Sequence, residues 1–153
     1  MGNLIWAQWA RLLALASATN LLWAASWAIA YRKFFWDMID APLGPHGDQP
    51  PERDAVFLTL IVRVPAIQII LIVHALIMLA FEWPLPLLRQ SALYRHHSVK
   101  ITFYVVTAVL ASLVYQSIDG AFYLLIAAAV RARASRLREP MFPAPREAPK
   151  GIV

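Results

Sequence analysis

Eighteen consecutive residues without a charge, Val64 to Phe81, set the first constraint on this chain. They read VPAIQIILIVHALIMLAF, with Gln68 and His74 the only polar side chains, Arg63 before them and Glu82-Trp83-Pro84 after them. A helix rising 1.5 Å per residue would make this stretch about 27 Å long, close to the ~30 Å hydrocarbon thickness of a bilayer. The stretch reads as a membrane span with marked ends. Composition agrees: 60% hydrophobic and 15% charged residues in 153 are too apolar for a soluble domain. The apolar residues fall in long blocks, the distribution that lipid demands.

The chain has no cysteine, which excludes disulfides, thiolate metal sites and a cysteine nucleophile. Net charge is +5, and six of the fourteen Lys/Arg lie beyond residue 130. A basic segment beside an apolar one marks a cytoplasmic membrane face. Nucleic-acid binding is set aside, since no stacking-aromatic pattern accompanies these cations.

Residues 1–30 form a first apolar block whose only charge is Arg11. Ala16-Ser17-Ala18 could serve as a signal cleavage site, but apolar residues continue past it and Arg11 is the only basic residue ahead of it, so a retained helix is expected. Trp6 stands where a myristoylation signal at Gly2 would want Ser or Thr. Ala7, Ala10, Ala14, Ser17, Leu21, Ala24 and Ala28 recur in steps of three and four, a mostly small-residue seam on one helix face. Such a seam lets another helix approach closely, from within this chain or from a partner. Trp6, Trp9, Trp23 and Trp27 fall elsewhere, as interface anchors would.

Four prolines and two glycines between Pro42 and Pro51 make 36–54 an aqueous loop. Asp37, Asp40, His46, Asp48 and Glu52 lie in it without the spacing of a metal site. Helix can resume near Ala55, ahead of Arg63 and Pro65. His74 sits near mid-span, where a histidine invites a haem-ligand or proton-relay reading. A bis-histidine site needs a second histidine at matching depth, and His96 and His97 are in the following polar connection.

Ile101 to Val130 is too long for one span at about 45 Å. A turn at Asp119-Gly120 would split it, because Asp-Gly is a pair that a lipid-buried helix avoids. The expectation is an all-α helical membrane bundle of four spans, about 10–31, 64–82, 98–116 and 119–134, with both termini cytoplasmic. Three spans is the alternative. With Arg63 left aside as a boundary residue, four spans place ten Lys/Arg inside against three outside, and three spans place nine against four, so the positive-inside rule accepts both. The transmembrane domain would be 1–134, and 135–153 a basic, proline-rich disordered tail. Pro140-Met141-Phe142-Pro143 is its one PxxP, a form that SH3-type grooves accept.

Several pieces taken in order resemble one family. The opening Met1-Gly2, Trp6-Ala7, Trp9-Ala10 and Ala14-Leu15-Ala16-Ser17, the Glu82-Trp83-Pro84 span end, Val99-Lys100 at the head of the third span, and Pro140 followed by Pro143-Ala144-Pro145-Arg146-Glu147-Ala148-Pro149 are similar to the light chain (alpha subunit) of flavocytochrome b. That chain is the small membrane subunit of phagocyte-type NADPH oxidase, and the fungal adaptors counted as its counterparts look similar too. The 36–54 loop looks like an insertion, the last two spans look short, Tyr104 stands in place of a family histidine, and the family's long proline-rich extension is absent.

The resemblance implies a non-catalytic adaptor that stabilises a large oxidase subunit carrying haem, FAD and the NADPH site, and so supports superoxide production. This chain would bind no cofactor or metal and have no catalytic residue. Trp6, Trp9, Ala10, Ala14, Ser17, Glu82, Trp83, Pro84 and Lys100 would form the partner interface. Pro140, Pro143, Pro145, Arg146 and Pro149 would offer a docking segment to cytosolic regulators. The expected location is the endoplasmic reticulum or another endomembrane, with the plasma membrane as alternative. Two other readings stay open: a scaffold of another endomembrane complex, and a small four-helix transporter using His74 or Glu82.

Overall fold

Proline 65 decides the shape of the central stretch. The computed structural model describes residues 5–31, 43–44, 47–48, 55–83 and 96–140. Within them α1 spans Trp6–Ala30, and α2 spans Ala55–Phe57 and runs on as π-helix through Leu58–Arg63. Then come α3 at Ala66–Glu82, α4 at His97–Ser112 and α5 at Ile118–Arg136. Between α2 and α3 the axis turns by 64°. Val64 is extended there, at φ −120° and ψ 120°, the conformation that a following proline favours. Pro65 also lacks the N–H that would reach the Ile61 carbonyl four residues back. Gln68 supplies the missing donor, its Nε2 lying 2.8 Å from that carbonyl, with its side chain fully buried.

The fold is all-α; the only strand pairing among the described residues is a two-residue ribbon, Leu43–Gly44 against Gly47–Asp48. The four long helices alternate in direction. The start of α1 meets the ends of α3 and α5 through Ala7–Glu139 and Arg11–Glu82 contacts, and the other end of α1 meets the α4–α5 turn through Tyr31 and Gln116. Helix α1 packs on α3 and α5, and α5 also packs on α4, while α3 and α4 are the least closely approached neighbours.

All seven residues of the α1 seam are buried, joined by Ala18 and Ala25. The matching stripe on α5 is Gly120, Leu124, Ala127, Ala128, Arg131 and Ala134. These small faces meet most tightly where Ser17 Oγ donates to the Gly120 carbonyl at 2.8 Å. A Cβ on Gly120 would lie 2.6 Å from Leu21 Cδ2 and 2.8 Å from Leu21 Cγ. Glycine is therefore required by the approach of α1, and the turn expected at Asp119-Gly120 is corrected. The chain actually turns earlier, through extended Val114 and a 3-10 turn at Tyr115–Ser117. Asp119 falls in the first turn of α5, where a carboxylate favours the positive end of the helix.

The other end of α5 also departs from expectation. Helix continues past residue 134 to Arg136, and Arg138 adopts a left-handed φ of 52°. Arg138 N–H donates to Ser135 O and Glu139 N–H to Ala134 O. This pair of bonds is a Schellman turn, usually built with glycine at the left-handed position. It aims Glu139 back at α1, where Oε2 accepts the Ala7 N–H at 2.8 Å. The ordered chain thus extends through 135–140. The proposed tail from 141 onward lies outside the described residues, as does most of the 36–54 loop.

Helix α1 is the one described helix that is by itself long and apolar enough to cross a membrane. The bent pair Ala55–Arg63 and Ala66–Glu82 makes a second if its two arms are one span. The outward faces are strongly apolar: Leu12, Trp23, Val56, Val109 and Phe122 are each more than half exposed.

Gly120→Ala gains helix propensity of about 1 kcal/mol, but the fully buried Leu21 side chain must shift to admit the methyl group, and overpacking typically costs about 1–3 kcal/mol. The expected result is a lower Tm by circular dichroism for Gly120→Ala, partly restored when Leu21→Ala is added; two independent additive losses would contradict the contact.

Candidate functional site

Arg11, Lys100, Arg131, Arg133 and Arg136 gather at the end of the bundle where α1 begins and α3 ends, while Arg63 lies before the start of α3. Glu82, the last residue of α3, is 1% exposed. Its Oε1 lies 2.8 Å from Lys100 Nζ, and its Oε2 lies 3.0 Å from an Arg131 terminal nitrogen. Tyr104 donates its hydroxyl to Glu82 Oε1 and accepts from the same Arg131 nitrogen at 3.0 Å. One carboxylate thus collects three donors from two other helices. Its position is set by helix ends: Lys100 lies in the first turn of α4 and Arg131 in the last two turns of α5.

The same cations finish α3. Arg11 Nε donates to the Glu82 carbonyl at 2.7 Å, and Lys100 Nζ also reaches the Phe81 carbonyl at 3.2 Å. Terminal carbonyls lack intrahelical donors, and positive charge is favoured beside them. Trp83 follows in extended conformation, at ψ 140°, as expected ahead of a proline.

Around this centre, Arg133 lies over the Trp6 ring, 4.4 Å from its centroid. Outside the apolar stretch of α4, His97 Nε2 is 3.2 Å from the Glu139 carbonyl. Burial holds the His97 imidazole below its ordinary range; the bond to Glu139 opposes this, and the Arg131 and Lys100 charges reinforce it. Arg131 Nε has no hydrogen-bond partner. With two cations on one carboxylate, the core of the cluster carries net positive charge.

His74 sits apart from this cluster, on the side where α3 and α4 face each other. Thr107 Oγ1 donates its one proton to the Phe103 carbonyl at 2.8 Å and therefore accepts from His74 Nδ1–H at 2.9 Å. The imidazole also stacks on Phe103, with centroids 4.9 Å apart. Among the described residues no three His, Cys, Asp or Glu side chains gather as metal ligands.

The residues expected at a partner interface fall into two groups. Ala10, Ala14, Ser17, Glu82 and Lys100 are buried within this chain, where they join its own helices. Trp9 is 41% and Trp83 60% exposed, and Trp6 is half-buried under Arg133. Pro140 is exposed. Pro84, Pro143, Pro145, Arg146 and Pro149 lie outside the described residues.

Arg131 and Tyr104, which the sequence presents only as a tail charge and a substituted histidine, complete the cluster. One signal was available for Arg131. It continues the small-residue spacing of Gly120, Leu124, Ala127 and Ala128, and an arginine on a buried stripe requires an acid.

A family model matches residues 1–139 under the description Domain of unknown function (DUF7727). The chain belongs to the DUF7727 family. No curated protein and no solved structure matches it. The matched DUF7727 unit ends at Glu139, the residue that returns to the first turn of α1, so its limits coincide with the closure of the bundle.

Breaking a buried ion pair by removing one partner typically costs about 3–5 kcal/mol. Glu82→Ala should therefore lower stability by that order, and Tyr104→Phe by about 1–3 kcal/mol. Thermal unfolding of Glu82→Gln, Arg131→Gln and the double variant should be markedly non-additive; simple addition would dissolve the pairing.

Proposed function

We propose that this DUF7727 chain is a non-catalytic membrane adaptor that binds and stabilises the haem- and flavin-bearing large subunit of an NADPH oxidase, supporting superoxide production. The observation that carries the reading is the use made of Glu82 and Lys100. Both belong to the ordered resemblance to the flavocytochrome b light chain, and both are spent on joining helices of this chain. The interior is occupied by structure, and the apolar exterior is left for lipid and a partner.

The four-span bundle is the membrane part of this proposal. Its support is an inverted distribution of side chains: Gln68, Glu82, Lys100 and Arg131 are buried, while Ile69, Ile70, Val73, Leu76 and Ile77 face outward on α3. Large apolar side chains exposed together on one helix face mark a protein or membrane contact. Trp6 and Trp9 pair at one end of α1, and Trp23, Trp27 and Tyr31 at the other. The two sets are about 20–30 Å apart along the helix, the separation of the two interfaces of a bilayer. Alternating helix directions bring Arg11, Lys100, Arg131, Arg133 and Arg136 to one end, which on the positive-inside rule is cytoplasmic along with both termini. Buried partner candidates narrow the proposed docking surface to the exposed side, including Trp9 and Trp83. Haem, FAD and NADPH would reside on the large subunit, in an endomembrane such as the endoplasmic reticulum. A docking role for the tail prolines remains part of the proposal.

The transporter reading draws on the same buried acid, since ionisable groups within spans often serve ion pathways. Glu82 already holds two cations and a hydroxyl, an arrangement that favours a fixed structural role.

Affinity purification in mild detergent should yield a partner with a visible-range haem spectrum, and deletion should reduce the amount of that large subunit several-fold. His74→Leu should leave the partner's haem spectrum unchanged. Purification without any haem protein, with oxidase abundance unaffected by deletion, would remove the adaptor reading; proton-linked flux in liposomes, lost in Glu82→Gln, would establish the transporter in its place.

A further inference from the structure

Helix α5 carries on its outer side a stripe that the bundle does not use. Ile118, Phe122, Leu125, Ala129, Ala132 and Arg136 recur in steps of four and three, which places them on one helix face. Two hollows lie along this face. The first, about 300 Å³, is apolar and runs between α4 and α5, with Ala108, Val109 and Ser112 opposite Ala121, Phe122 and Leu125. Its floor is low because Ala108 and Ala121 are small, and Ser112 Oγ is already bonded to the Val109 carbonyl, so the hollow makes no polar demand. The second, about 570 Å³, lies toward the cationic end and is lined among the described residues by Ala129, Ala132, Arg133, Arg136 and Leu137. Arg133 and Arg136 are exposed, and among the described residues no carboxylate pairs with either.

From Phe122 to Arg133 the helix rises about 16 Å, close to the ~15 Å that one leaflet contributes to the hydrocarbon core. An occupant of both hollows must be apolar for that length and anionic at one end. We infer that this face of α5 is a binding site for one anionic phospholipid, with an acyl chain in the α4–α5 groove and the phosphate against Arg133 and Arg136. The inference rests on the membrane part of the proposed function and needs no oxidase. A phospholipid suits both hollows together, because its phosphate lies one leaflet's depth from the acyl ends, and two arginines favour a headgroup that keeps a net negative charge over a zwitterionic one. A partner helix would have to bring its own carboxylates to that level while also filling the groove. The stacking of Arg133 on Trp6 fixes its guanidinium at the rim and neutralises none of its charge, which leaves it available to a phosphate.

The full chain, purified in mild detergent, can be tested by native mass spectrometry with phosphatidylserine and phosphatidylcholine added separately. Wild type should retain phosphatidylserine preferentially. Each of Arg133→Gln and Arg136→Gln should reduce that retention about fivefold, the factor that accompanies one basic residue beside an anionic surface, whereas Arg133→Lys with Arg136→Lys should preserve it. Ala129→Trp, which projects from the exposed stripe into the second hollow, should weaken retention of both lipids. Equal retention of the two lipids by wild type, or a preference untouched by the glutamine variants, would overturn the site. So would a photo-crosslinking residue at Phe122 that attaches in native membranes to a protein instead of lipid. Carbonate extraction of those membranes separates the two levels: release of the chain removes the membrane reading itself, while a chain that stays embedded but shows no phosphatidylserine preference loses only the lipid site.

Discussion

A carboxylate at 1% exposure cannot be left alone in a protein interior. Removing an ion from water costs several kcal/mol even after relaxation, so Glu82 obliges every element around it to bring a donor. Helix α4 brings Lys100 and Tyr104, and α5 brings Arg131. Helix α1 contributes Arg11 to the carbonyl of the same residue. All four long helices are thereby referred to one residue. The attraction is directional and short in range, so it fixes the rotation of each helix about its axis. The small-residue faces alone would leave that rotation less well determined.

Those faces do a complementary job. Alanine, serine and glycine allow α1 to approach α3 and α5 closely, and the energy of contact is then dispersion and the Ser17–Gly120 hydrogen bond. Between α3 and α4 the opposite solution is used. The backbones stand farther apart, and the gap is filled by His74, Phe81 and Phe103 in ring contacts, with Thr107 giving His74 a partner. Two ways of joining helices thus coexist in one bundle, one through small side chains and one through large ones.

The parts of this structure that are legible in the sequence are those governed by local periodicity. The α1 seam can be read because seven positions share a face, and all seven are buried. The bend at Pro65 can be anticipated from proline, although the role of Gln68 in capping Ile61 cannot, since it depends on the three-dimensional bend. Asp119-Gly120 misleads because glycine has two uses: it permits a turn, and it permits a neighbour to come near. Only the position of Leu21 distinguishes them. Glu82 and Lys100 stand out as helix-end residues, and Arg131 stands out on a small-residue stripe, but that Glu82 is the acid it meets, 49 positions away, is not legible from local spacing. The Schellman turn is hidden for a related reason, since arginine occupies the left-handed position where glycine would have announced it.

The bond from Glu139 to Ala7 links residues 132 positions apart, and this separation orders events during synthesis. The first turn of α1 emerges from the ribosome long before its carboxylate partner exists. Glu82 likewise precedes Arg131 by nearly fifty residues. A nascent chain therefore carries an uncapped helix start, and a carboxylate held by α4 alone, until α5 and the turn after it have been made. Completion of the last helix and the turn that closes it supplies both partners together, Arg131 to Glu82 and Glu139 to Ala7.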